Sequence, residues 1–417
     1  MLFLYDIALG LYGLLLRLLA PFVPKAAAWV TGRRGLLAHI RQRMGTDSAP
    51  RVWFHCASLG EFEQGRPLME AYRRAHPGTR VVLTFFSPSG YEIRHDWPGA
   101  DYVFYLPLDT RANARAFLDA VRPRLAVFVK YEFWYHFLTE AQRRGIPTVV
   151  VSAIFRPEQA FFKPWGKFFR TVLARFAHIF TQNEASAALL RQYGLRQVSV
   201  AGDTRFDTVV ATAAAAPKSL PLVEAFVADR VPVLVAGSIW PEDLPALTPL
   251  LHRHAGRLRV VMATHEVDEP TLKAVEANWP GQVVRYSQAT AETVATARIL
   301  LIDNIGLLSQ LYRFGQYAYI GGAFGKGLHN TLEAAAFGLP LFFGPNYQRF
   351  QEAVDLETRG LAFPVDNASQ LAAKFAPLWN DETFRLRVQD QLLEYVHGQA
   401  GATRTIMAAL PGLIAAP

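Results

Sequence analysis

A glycine-rich segment leads into polar residues whose types suit a nucleotide ligand. The run "GGAFGKGLHN" ends at His329 and Asn330, and the run "NTLEAAAFG" predicts a helix with Asn330 as its N-cap and Gly338 at its end. The backbone of a glycine-rich loop can approach a ligand closely, and the free N–H groups of a helix N-terminus suit a phosphate. Lys326 would add a positive charge, and Glu333, one turn into the helix, can accept both hydroxyls of a ribose.

The same residues also have a purely structural interpretation. A residue three positions after an N-cap often reaches back to it, so Asn330 and Glu333 are equally well explained as a capping pair. The chain contains neither a P-loop pattern nor a GxGxxG pattern, which argues against ordinary use of ATP or NAD.

Polar side chains also follow several predicted β-strands, at the end where open α/β sheets bind their ligands. Glu61 lies in "SLGEFEQGRP" after the first predicted strand, and Glu132 lies in "KYEFWYHF" after the fourth. Comparable tails in the second half of the chain are "AGSIWPED", "ATHEVDEP", "DNIG" and the glycine-rich segment. Two such rows predict a ligand between two domains, although Glu61 and Glu132 are also explained as solvated surface carboxylates.

Short apolar runs alternate with segments long enough for helices, which predicts parallel sheets covered on both faces. The first set is "RVWFHCAS", "RVVLTFFS", "YVFYLP", "LAVFVKYEF", "IPTVVVSAIF" and "HIFTQN", and the second is "VPVLVAGSI", "RLRVVMATH", "ARILLID", "YAYIGG", "LPLFFGP" and "LAFPV". A chain of 417 residues is long for one domain. The predicted divisions are a hydrophobic and basic segment at 1–45, an α/β domain at 46–207, a linker at 208–222 and a second α/β domain at 223–417, whose last helix is expected to pack on the first domain.

The first 45 residues predict association with a membrane surface. Asp6 and Arg17 interrupt the apolar run, and the uninterrupted stretch from Ile7 to Leu16 is only half as long as a spanning helix requires. A basic stretch follows, with no acidic residue between Asp6 and Asp47. This pattern is typical of a helix that lies in the interface of an anionic leaflet. A buried first helix and a single membrane span are the alternatives. The basic residues are Lys25, Arg33, Arg34, Arg41 and Arg43.

Composition indicates a globular protein with anionic partners. The chain is 51% hydrophobic and 19% charged, and its net charge is +8. That charge favours phosphates, acidic sugars, lipid headgroups or nucleic acid without choosing among them. Cys56 is the only cysteine, which excludes an intramolecular disulfide and a multi-cysteine metal site. Its apolar surroundings in the sequence favour a small buried residue over a nucleophile.

Five motifs together carry a family resemblance: "HCASLGEFEQGRPL", "KYEFWYHFL", "GDTRFD", "AGSIWPED" and "GLHNTLEAAAFGLPLFFGP". In this order and spacing they resemble the 3-deoxy-D-manno-octulosonic acid (Kdo) transferases of Gram-negative bacteria, over nearly the whole chain. The resemblance implies an α/β protein of the GT-B glycosyltransferase fold, with two Rossmann-like domains facing across a cleft and an N-terminal membrane-associated helix. The implied activity is inverting transfer of Kdo from CMP-Kdo to a lipid A precursor.

The resemblance also implies the partners and the location. CMP-Kdo, a lipid A precursor and an anionic membrane surface are the expected partners, nucleic acid is not expected, and protein partners stay open. No cofactor and no essential metal are expected. The implied location is the cytoplasmic face of the inner membrane, to which the protein would bind as a peripheral, monotopic protein.

Residue roles follow from the same resemblance. Glu61 matches the general base, Ser58 and Gly60 belong to the turn that presents it, and Glu132 matches a second acidic position. Glu61 is expected to be ionised at neutral pH without a large pKa shift. Arg205 matches a basic position at the domain junction. The expected nucleotide-binding residues are Ser238, His265, Gly306, Lys326, Gly327, His329, Asn330 and Glu333.

The chain departs from the family pattern at three places. Ala263 or Thr264 stands where many relatives have an arginine, so Lys326, Arg205 or loop amides are expected to supply the phosphate contact. Trp240 stands where many relatives have a histidine, and Lys130 replaces an acidic residue two positions before Glu132.

A second apolar and basic stretch, "FFKPWGKFFRTVLARFAHIF", begins at Phe161. It is expected to contact the acyl chains and phosphates of the acceptor, with a partly buried helix or a nucleic-acid contact as alternatives. For the chain as a whole, a nucleotide-sugar epimerase or hydrolase of the same fold and a non-catalytic binder of anionic lipid or nucleic acid remain the other hypotheses.

Overall fold

The computed structural model describes residues 1–45, 47–325 and 327–414, and the chain divides into two compact units. Unit 1 comprises Met1–Thr208 and Gln399–Pro417, and unit 2 comprises Val209–Gly398. Helix α10 (Thr204–Ala214) contains the first boundary, and α19 (Glu382–Gln399) ends at the second. Unit 1 is therefore built from both ends of the chain.

Unit 1 is centred on a parallel sheet of seven described strands in the order β3-β2-β1-β4-β5-β6-β7. Six of them coincide with the apolar runs of the sequence, and β7, a three-residue edge strand, was not predicted. The strands are β1 (Arg51–Cys56), β2 (Arg80–Phe85), β3 (Tyr102–Tyr105), β4 (Leu125–Val129), β5 (Thr148–Ala153), β6 (His178–Thr181) and β7 (Val198–Val200).

Helices cover both faces of this sheet because the central strands are apolar on both sides. Gly65 allows one of them, α4, to lie close to the sheet, since a Cβ there would meet Val129 Cγ2 at 3.0 Å and Cys56 Sγ at 3.3 Å. The helices of unit 1 are α1 (Leu2–Leu19), α2 (Pro24–Thr31), α3 (Leu36–Met44), α4 (Leu59–Ala75), α5 (Pro88–Arg94), α6 (Arg111–Val121), α7 (Tyr135–Arg143), α8 (Lys167–Leu173), α9 (Glu184–Gln192) and α20 (Ala402–Ile414).

Helix α1 is long and apolar enough to cross a membrane by length and composition, and only 6% of it is buried. Its exposed residues include Phe3 and Leu15, and Phe22 just beyond its end is 82% exposed. It is therefore not a buried core helix. Polar contacts hold its first turns to the rest of unit 1. The Tyr5 hydroxyl lies 2.5 Å from Asp109 Oδ2, and His136 Nε2 lies 2.6 Å from Asp6 Oδ1.

Arg33 does not lie on the same surface as its basic neighbours. Its guanidinium donates to the carbonyl oxygens of Leu106 and Phe86 at 3.0 and 2.7 Å, and it stacks on Trp29 at 4.0 Å. Burial lowers its pKa to about 9. By contrast, Arg34, Arg41 and Arg43 are exposed. Arg33 thus stabilises the packing of α2 on unit 1.

Unit 2 contains a second parallel sheet of seven described strands, in the order β10-β11-β9-β8-β12-β13-β14. Again six coincide with predicted runs, and the short edge strand β10 was not predicted. The strands are β8 (Val233–Ile239), β9 (Arg259–Thr264), β10 (Val283–Arg285), β11 (Ile299–Ile302), β12 (Tyr317–Ile320), β13 (Leu341–Phe343) and β14 (Ala362–Pro364). The helices are α11 (Pro221–Phe226), α12 (Leu244–Arg253), α13 (Glu269–Asn278), α14 (Ala291–Thr296), α15 (Leu308–Leu311), α16 (Leu332–Ala335), α17 (Gln351–Thr358), α18 (Ala368–Asn380) and α19.

Helix α16 corrects one prediction. The helix expected from Asn330 to Gly338 has only four residues and begins after Thr331. The chain tightens directly after it, because Phe337 N–H and Gly338 N–H donate to carbonyl oxygens three residues back. A single turn carries little helix dipole, so the expected phosphate site at a helix N-terminus has lost its main physical basis.

Candidate active site

Glu61 and Glu132 lie at the switch point of the unit 1 sheet. The chain runs outward from β1 to β2 and β3 and then returns to β4 on the other side of β1, so the connections after β1 and β4 leave in opposite directions. Ligands of doubly wound sheets bind at such a point, outside the carboxyl ends of the strands. Glu61 is in the first turn of α4, directly after β1, and Glu132 follows β4.

The N-terminus of α4 orients Glu61. Ser58 is the N-cap, its hydroxyl accepts from Glu61 N–H at 3.5 Å, and the Ala57 N–H donates to Glu61 Oε2. Gly60 has open space where a Cβ would stand. The three residues named by the family motif therefore lie in one turn.

Burial and, to a smaller extent, the charge of Glu132 raise the pKa of Glu61 to about 8. The hydrogen bond from Ala57 N–H and the charge of Lys130 oppose this shift. The expectation that Glu61 is ionised at neutral pH without a large pKa shift was therefore wrong. A carboxylate with a raised pKa is a stronger base when it is ionised, so this shift suits general base catalysis.

Glu132 is nearly buried and is held by two donors that the sequence analysis did not single out. Trp134 Nε1–H donates to Glu132 Oε2 at 2.6 Å, and His55 Nε2 lies 3.0 Å from the same oxygen. His55 belongs to the quoted motif "HCASLGE", and Trp134 follows Glu132 in "YEFW". In the sequence, the signal that could have identified both residues is a side chain with a polar atom within an otherwise apolar run.

A cavity of about 310 Å³ opens beside Glu132 and is lined mainly by aromatic side chains. Tyr5 of α1 and Phe168 and Phe169 of α8 contribute to its wall. The aromatic and basic stretch after Phe161 therefore lies next to one of the two carboxyl groups. The backbone of Lys130, two residues before Glu132, has a φ of 65°, which an L-residue rarely adopts.

Arg205 lies in the first turn of α10 and is paired with Asp203. Arg205 Nε donates to Asp203 Oδ2 at 2.8 Å, and its backbone N–H donates to Oδ1 of the same carboxylate at 2.9 Å. This pair partly neutralises the guanidinium, so a phosphate contact by Arg205 would compete with Asp203.

In unit 2 the glycine-rich loop leaves β12 beside β8, the strand pair at the switch point of the second sheet. Buried Asp243 organises the start of this loop, since its Oδ2 accepts from the backbone N–H groups of Trp240 and Gly322 at 2.9 and 3.0 Å. A Cβ at Gly321 would lie 2.2 Å from Ser238 O, so only glycine fits there. Asp243 was not predicted, although the motif "WPED" contains it.

Three aromatic side chains stack above this loop. The His265 ring lies 4.5 Å from Trp240 and 4.3 Å from His329, and Trp240 Nε1–H donates to His329 Nε2 at 3.0 Å. Burial and the neighbouring His265 lower the pKa of His329 to about 4, so His329 is neutral at pH 7. Trp240, at the position where many relatives have a histidine, thus forms one end of a stack of three aromatic rings.

Asn330 and Glu333 contact each other as a capping pair does. Asn330 Nδ2 donates to Glu333 Oε1 at 3.0 Å, and Asn330 Oδ1 accepts from Leu332 N–H at 3.1 Å. The contacts expected of a capping pair are therefore present. They are compatible with a ligand that binds the second carboxylate oxygen of Glu333. Glu333 lies in α16, immediately after the loop that carries Gly327 and His329.

The remaining predicted residues of unit 2 are backbone positions. Ser238 in β8, Gly306 after β11 and Gly327 in the loop have φ values of 55°, 95° and 132°. Ser238, Gly327, His265 and His329 belong to neighbouring strand ends, whereas Gly306 lies beyond β9, at the end of β11. Lys326 lies outside the described residues.

Comparison with known sequences identifies relatives of one kind. Residues 36–208 match the family described as 3-deoxy-D-manno-octulosonic-acid transferase (kdotransferase). A 3-deoxy-D-manno-octulosonic acid transferase of Bordetella pertussis is 27% identical over 96% of this chain and 98% of its own length. The enzyme of the same name from Chlamydophila psittaci is 29% identical over 72% of this chain and 71% of its own.

Solved structures share the architecture at low sequence identity. The UDP-GlcNAc 2-epimerase of Neisseria meningitidis has a TM-score of 0.63 at 14% identity, over 87% of this chain and all of that one. A glycosyltransferase of Rickettsia africae has a TM-score of 0.59 at 11% identity, over 89% of this chain and all of that one. These similarities establish the GT-B fold. Together with the sequence relatives, they show that the chain is similar to the Kdo transferases, a family of glycosyltransferases.

Proposed function

We propose that the protein transfers Kdo from CMP-Kdo to a lipid A precursor, with inversion at the anomeric carbon and Glu61 as the general base. The observation that carries this proposal is the pair Glu61 and Glu132 at the switch point of unit 1, next to an aromatic cavity that α1 helps to line. The names of the sequence relatives support Kdo as the transferred sugar.

The reaction needs one proton acceptor and one site for a departing anion. The acceptor hydroxyl oxygen attacks the anomeric carbon of Kdo while its proton passes to a carboxylate oxygen of Glu61. The bond between that carbon and the phosphate oxygen breaks, and CMP leaves with the electron pair. A pKa near 8 makes Glu61 a better proton acceptor than an ordinary carboxylate, and general base catalysis contributes typically about 10²–10⁴-fold.

Unit 2 would bind the CMP part of the donor. The stacked rings of Trp240, His265 and His329 offer an aromatic face on which a nucleobase can stack, and Glu333 can accept hydroxyls of the ribose. Arg205 is paired with Asp203, and the N–H groups of Gly325, Gly327 and His329 already donate to carbonyl oxygens within the loop. Other backbone N–H groups of the glycine-rich loop are therefore the proposed phosphate donors. The proposed reaction needs no metal or other cofactor.

The exposed apolar surface of α1 supports a peripheral position on the cytoplasmic face of the inner membrane, where the lipid acceptor resides. In this arrangement the acyl chains of the acceptor would contact the aromatic cavity, because Tyr5 of α1 and Phe168 of α8 both line it.

The decisive experiment is mass spectrometry of products formed by the full-length protein in detergent. The substrates are CMP-Kdo and a bis-phosphorylated, acylated glucosamine disaccharide. A mass increase of the disaccharide by a Kdo residue, unchanged by EDTA, is expected. Free Kdo with an unmodified disaccharide would indicate a hydrolase, and unchanged CMP-Kdo would contradict the proposal altogether.

A further inference from the structure

A chain of hydrogen bonds connects Glu132 to strand β2 through His55, a residue without a role in the proposed function. His55 is fully buried in β1. Its Nε2 lies 3.0 Å from Glu132 Oε2, and its Nδ1 lies 2.9 Å from Thr84 Oγ1. Thr84 Oγ1 in turn accepts from Trp53 Nε1–H at 2.8 Å. The imidazole is therefore held at both nitrogens.

The partners determine which nitrogen of His55 carries a proton. The Thr84 hydroxyl already accepts from Trp53, and it has one proton to donate, for which His55 Nδ1 is a nearer acceptor than Phe54 O at 3.4 Å. If Nε2 carried no proton, it would be an acceptor that faces a second acceptor, Glu132 Oε2, at 3.0 Å. Nδ1 also lies 3.2 Å from the Thr84 carbonyl oxygen, and Trp134 Nε1–H lies 3.2 Å from Nε2 but nearer, at 2.6 Å, to Glu132 Oε2. Because the Trp134 proton goes to the nearer carboxylate oxygen, a proton on Nε2 lets His55 act as the second donor to Glu132.

The second donor reaches the same oxygen. Trp134 Nε1–H donates to Glu132 Oε2, so two donors fix the orientation of this carboxyl group. Both donors contact Oε2 of Glu132 rather than its Oε1. The other titratable and charged groups around Glu61 and Glu132 are His55 and Cys56 from β1, Glu63 from α4, and Lys130 and Tyr131 from the segment after β4.

We propose that His55 is a positioning residue that fixes the carboxyl group of Glu132 beside Glu61, so that Glu61 stays a strong enough base to take the proton of the acceptor hydroxyl. This inference rests on the proposed function in one respect, namely that Glu61 is the base. The orientation of the Glu132 carboxyl group does not depend on that function, since it follows from the contacts with His55 and Trp134.

Loss of the imidazole has a specific consequence for the pair. With one donor fewer, the carboxyl group of Glu132 is no longer fixed, and its charge raises the pKa of Glu61 less. Glu61 then ionises at lower pH and becomes a weaker base. A residue that only fills space in β1 would not move the titration of Glu61 in this direction.

The first test measures Kdo transfer by His55→Leu as a function of pH. On the plateau above the acidic limb we expect kcat to fall by about three- to tenfold, since a loss of one pKa unit lowers the rate of a general base by at most tenfold, while the KM values of both substrates change by less than about threefold. The acidic limb of the kcat profile should move to lower pH by about one unit. His55→Gln, which replaces the Nε2 donor by an amide N–H, should recover much of the loss. His178→Leu is the matched control, because His178 is a histidine of β6 that binds Ser199.

An unchanged or alkaline-shifted limb in a folded His55→Leu variant would overturn the proposal, as would a His55→Gln variant no better than His55→Leu. The second test needs no activity and uses 15N-labelled imidazole in the full-length protein, with the His55 signal assigned from His55→Gln. We expect Nε2 to be protonated from pH 6 to 8, and Glu132→Gln to shift its resonance.

An unprotonated Nε2, or a resonance insensitive to Glu132→Gln, would also overturn it. If the unmodified protein transfers no Kdo, the proposed function fails while the NMR outcome still decides the role of His55. If His55→Leu does not fold, His55→Gln and the NMR measurement decide it.

Discussion

Glu61 is a carboxyl group whose surroundings favour its protonated form. Its place after β1 was predictable from the motif, but its pKa was not, because the shift arises from burial and from Glu132, which lies 71 residues further along the chain. A base that binds its proton strongly is useful in the reaction and costly to ionise in the folded protein. Both consequences can be measured.

Replacement of Glu61 tests the base directly. Glu61→Gln keeps the size and the hydrogen-bonding atoms but removes the basicity, so turnover should fall by about a hundredfold or more with CMP affinity nearly unchanged. Steady-state assays and titration calorimetry measure the two effects. Glu63→Gln is the control on the same helix, since Glu63 pairs with Arg66 and Arg94. Near-normal turnover in Glu61→Gln would remove Glu61 from the mechanism.

The raised pKa of Glu61 also predicts how stability depends on pH. The folded state retains a proton up to about pH 8, whereas the unfolded chain releases it near the ordinary value of 4.5. The folded state binds more protons between these values, so this contribution to the free energy of unfolding is fully present below pH 4.5 and is lost as pH rises towards and through 8. The decline from pH 6 to 8.5 should be shallower in Glu61→Gln. Urea denaturation at both pH values measures it, and parallel declines would contradict the pKa.

Glu333 is the residue at which a capping role and a ligand role can be separated. Glu333→Ala should weaken CMP binding by roughly 2–3 kcal/mol if the carboxylate accepts two ribose hydroxyls, since hydrogen bonds to a charged group contribute about 1.5–3 kcal/mol each and two bonds to one carboxylate are coupled, so that together they contribute less than their sum. Titration calorimetry with CMP gives the value. Asn330→Ala, which removes the amide that donates to Glu333, should have a smaller effect. Unchanged affinity in folded Glu333→Ala would leave only the capping role.

At the scale of elements, the basic residues after α1 divide into two classes that the sequence did not distinguish. Arg33 is enclosed by aromatic rings and carbonyl oxygens, whereas Arg34, Arg41 and Arg43 are exposed. The difference depends on the loops after β2 and β3, which supply the carbonyl oxygens for Arg33 from distant parts of the chain.

Vesicle binding should separate these classes. Replacing Arg34, Arg41 and Arg43 together with Gln should weaken binding to anionic vesicles by about 1 kcal/mol per charge and leave binding to zwitterionic vesicles unchanged. Arg33→Gln should instead lower the melting temperature. Flotation at low and high salt, with thermal unfolding in parallel, measures both effects. Equal flotation of the triple variant and the unmodified protein on anionic lipid would show that the basic surface is not an electrostatic anchor.

The strands themselves were largely predictable, and the exceptions have a common cause. Central parallel strands are buried on both faces and appear as apolar runs, whereas β7 and β10 are three-residue edge strands with partly exposed residues. Helix α16 was overpredicted because its alanines favour a helix locally. In the folded unit the helix ends at Ala335, and the hydrogen bonds from Phe337 N–H and Gly338 N–H to carbonyl oxygens three residues back tighten the chain into turns.

At the scale of the whole molecule, the candidate site was predictable only as far as single motifs go. Each motif lies at a strand end, so its general place follows from the topology of parallel sheets. Contacts such as His55 with Glu132 depend on β1 lying beside β4, although β2 and β3 intervene in the chain. A sequence pattern that describes one segment at a time does not contain that neighbour relation.

The single thiol of Cys56 makes the opening of unit 1 observable by chemical labelling. Cys56 is fully buried in β1 against Gly65, and burial raises the pKa of its thiol. A thiol reagent should therefore modify it only when the sheet of unit 1 opens, and the labelling rate counts those openings. Leu83→Ala, in the same apolar cluster, should accelerate labelling by about tenfold or more, because large-to-small core changes cost about 2–5 kcal/mol. Rapid labelling of the native protein that Leu83→Ala leaves unchanged would mean that the reagent reaches Cys56 without unfolding.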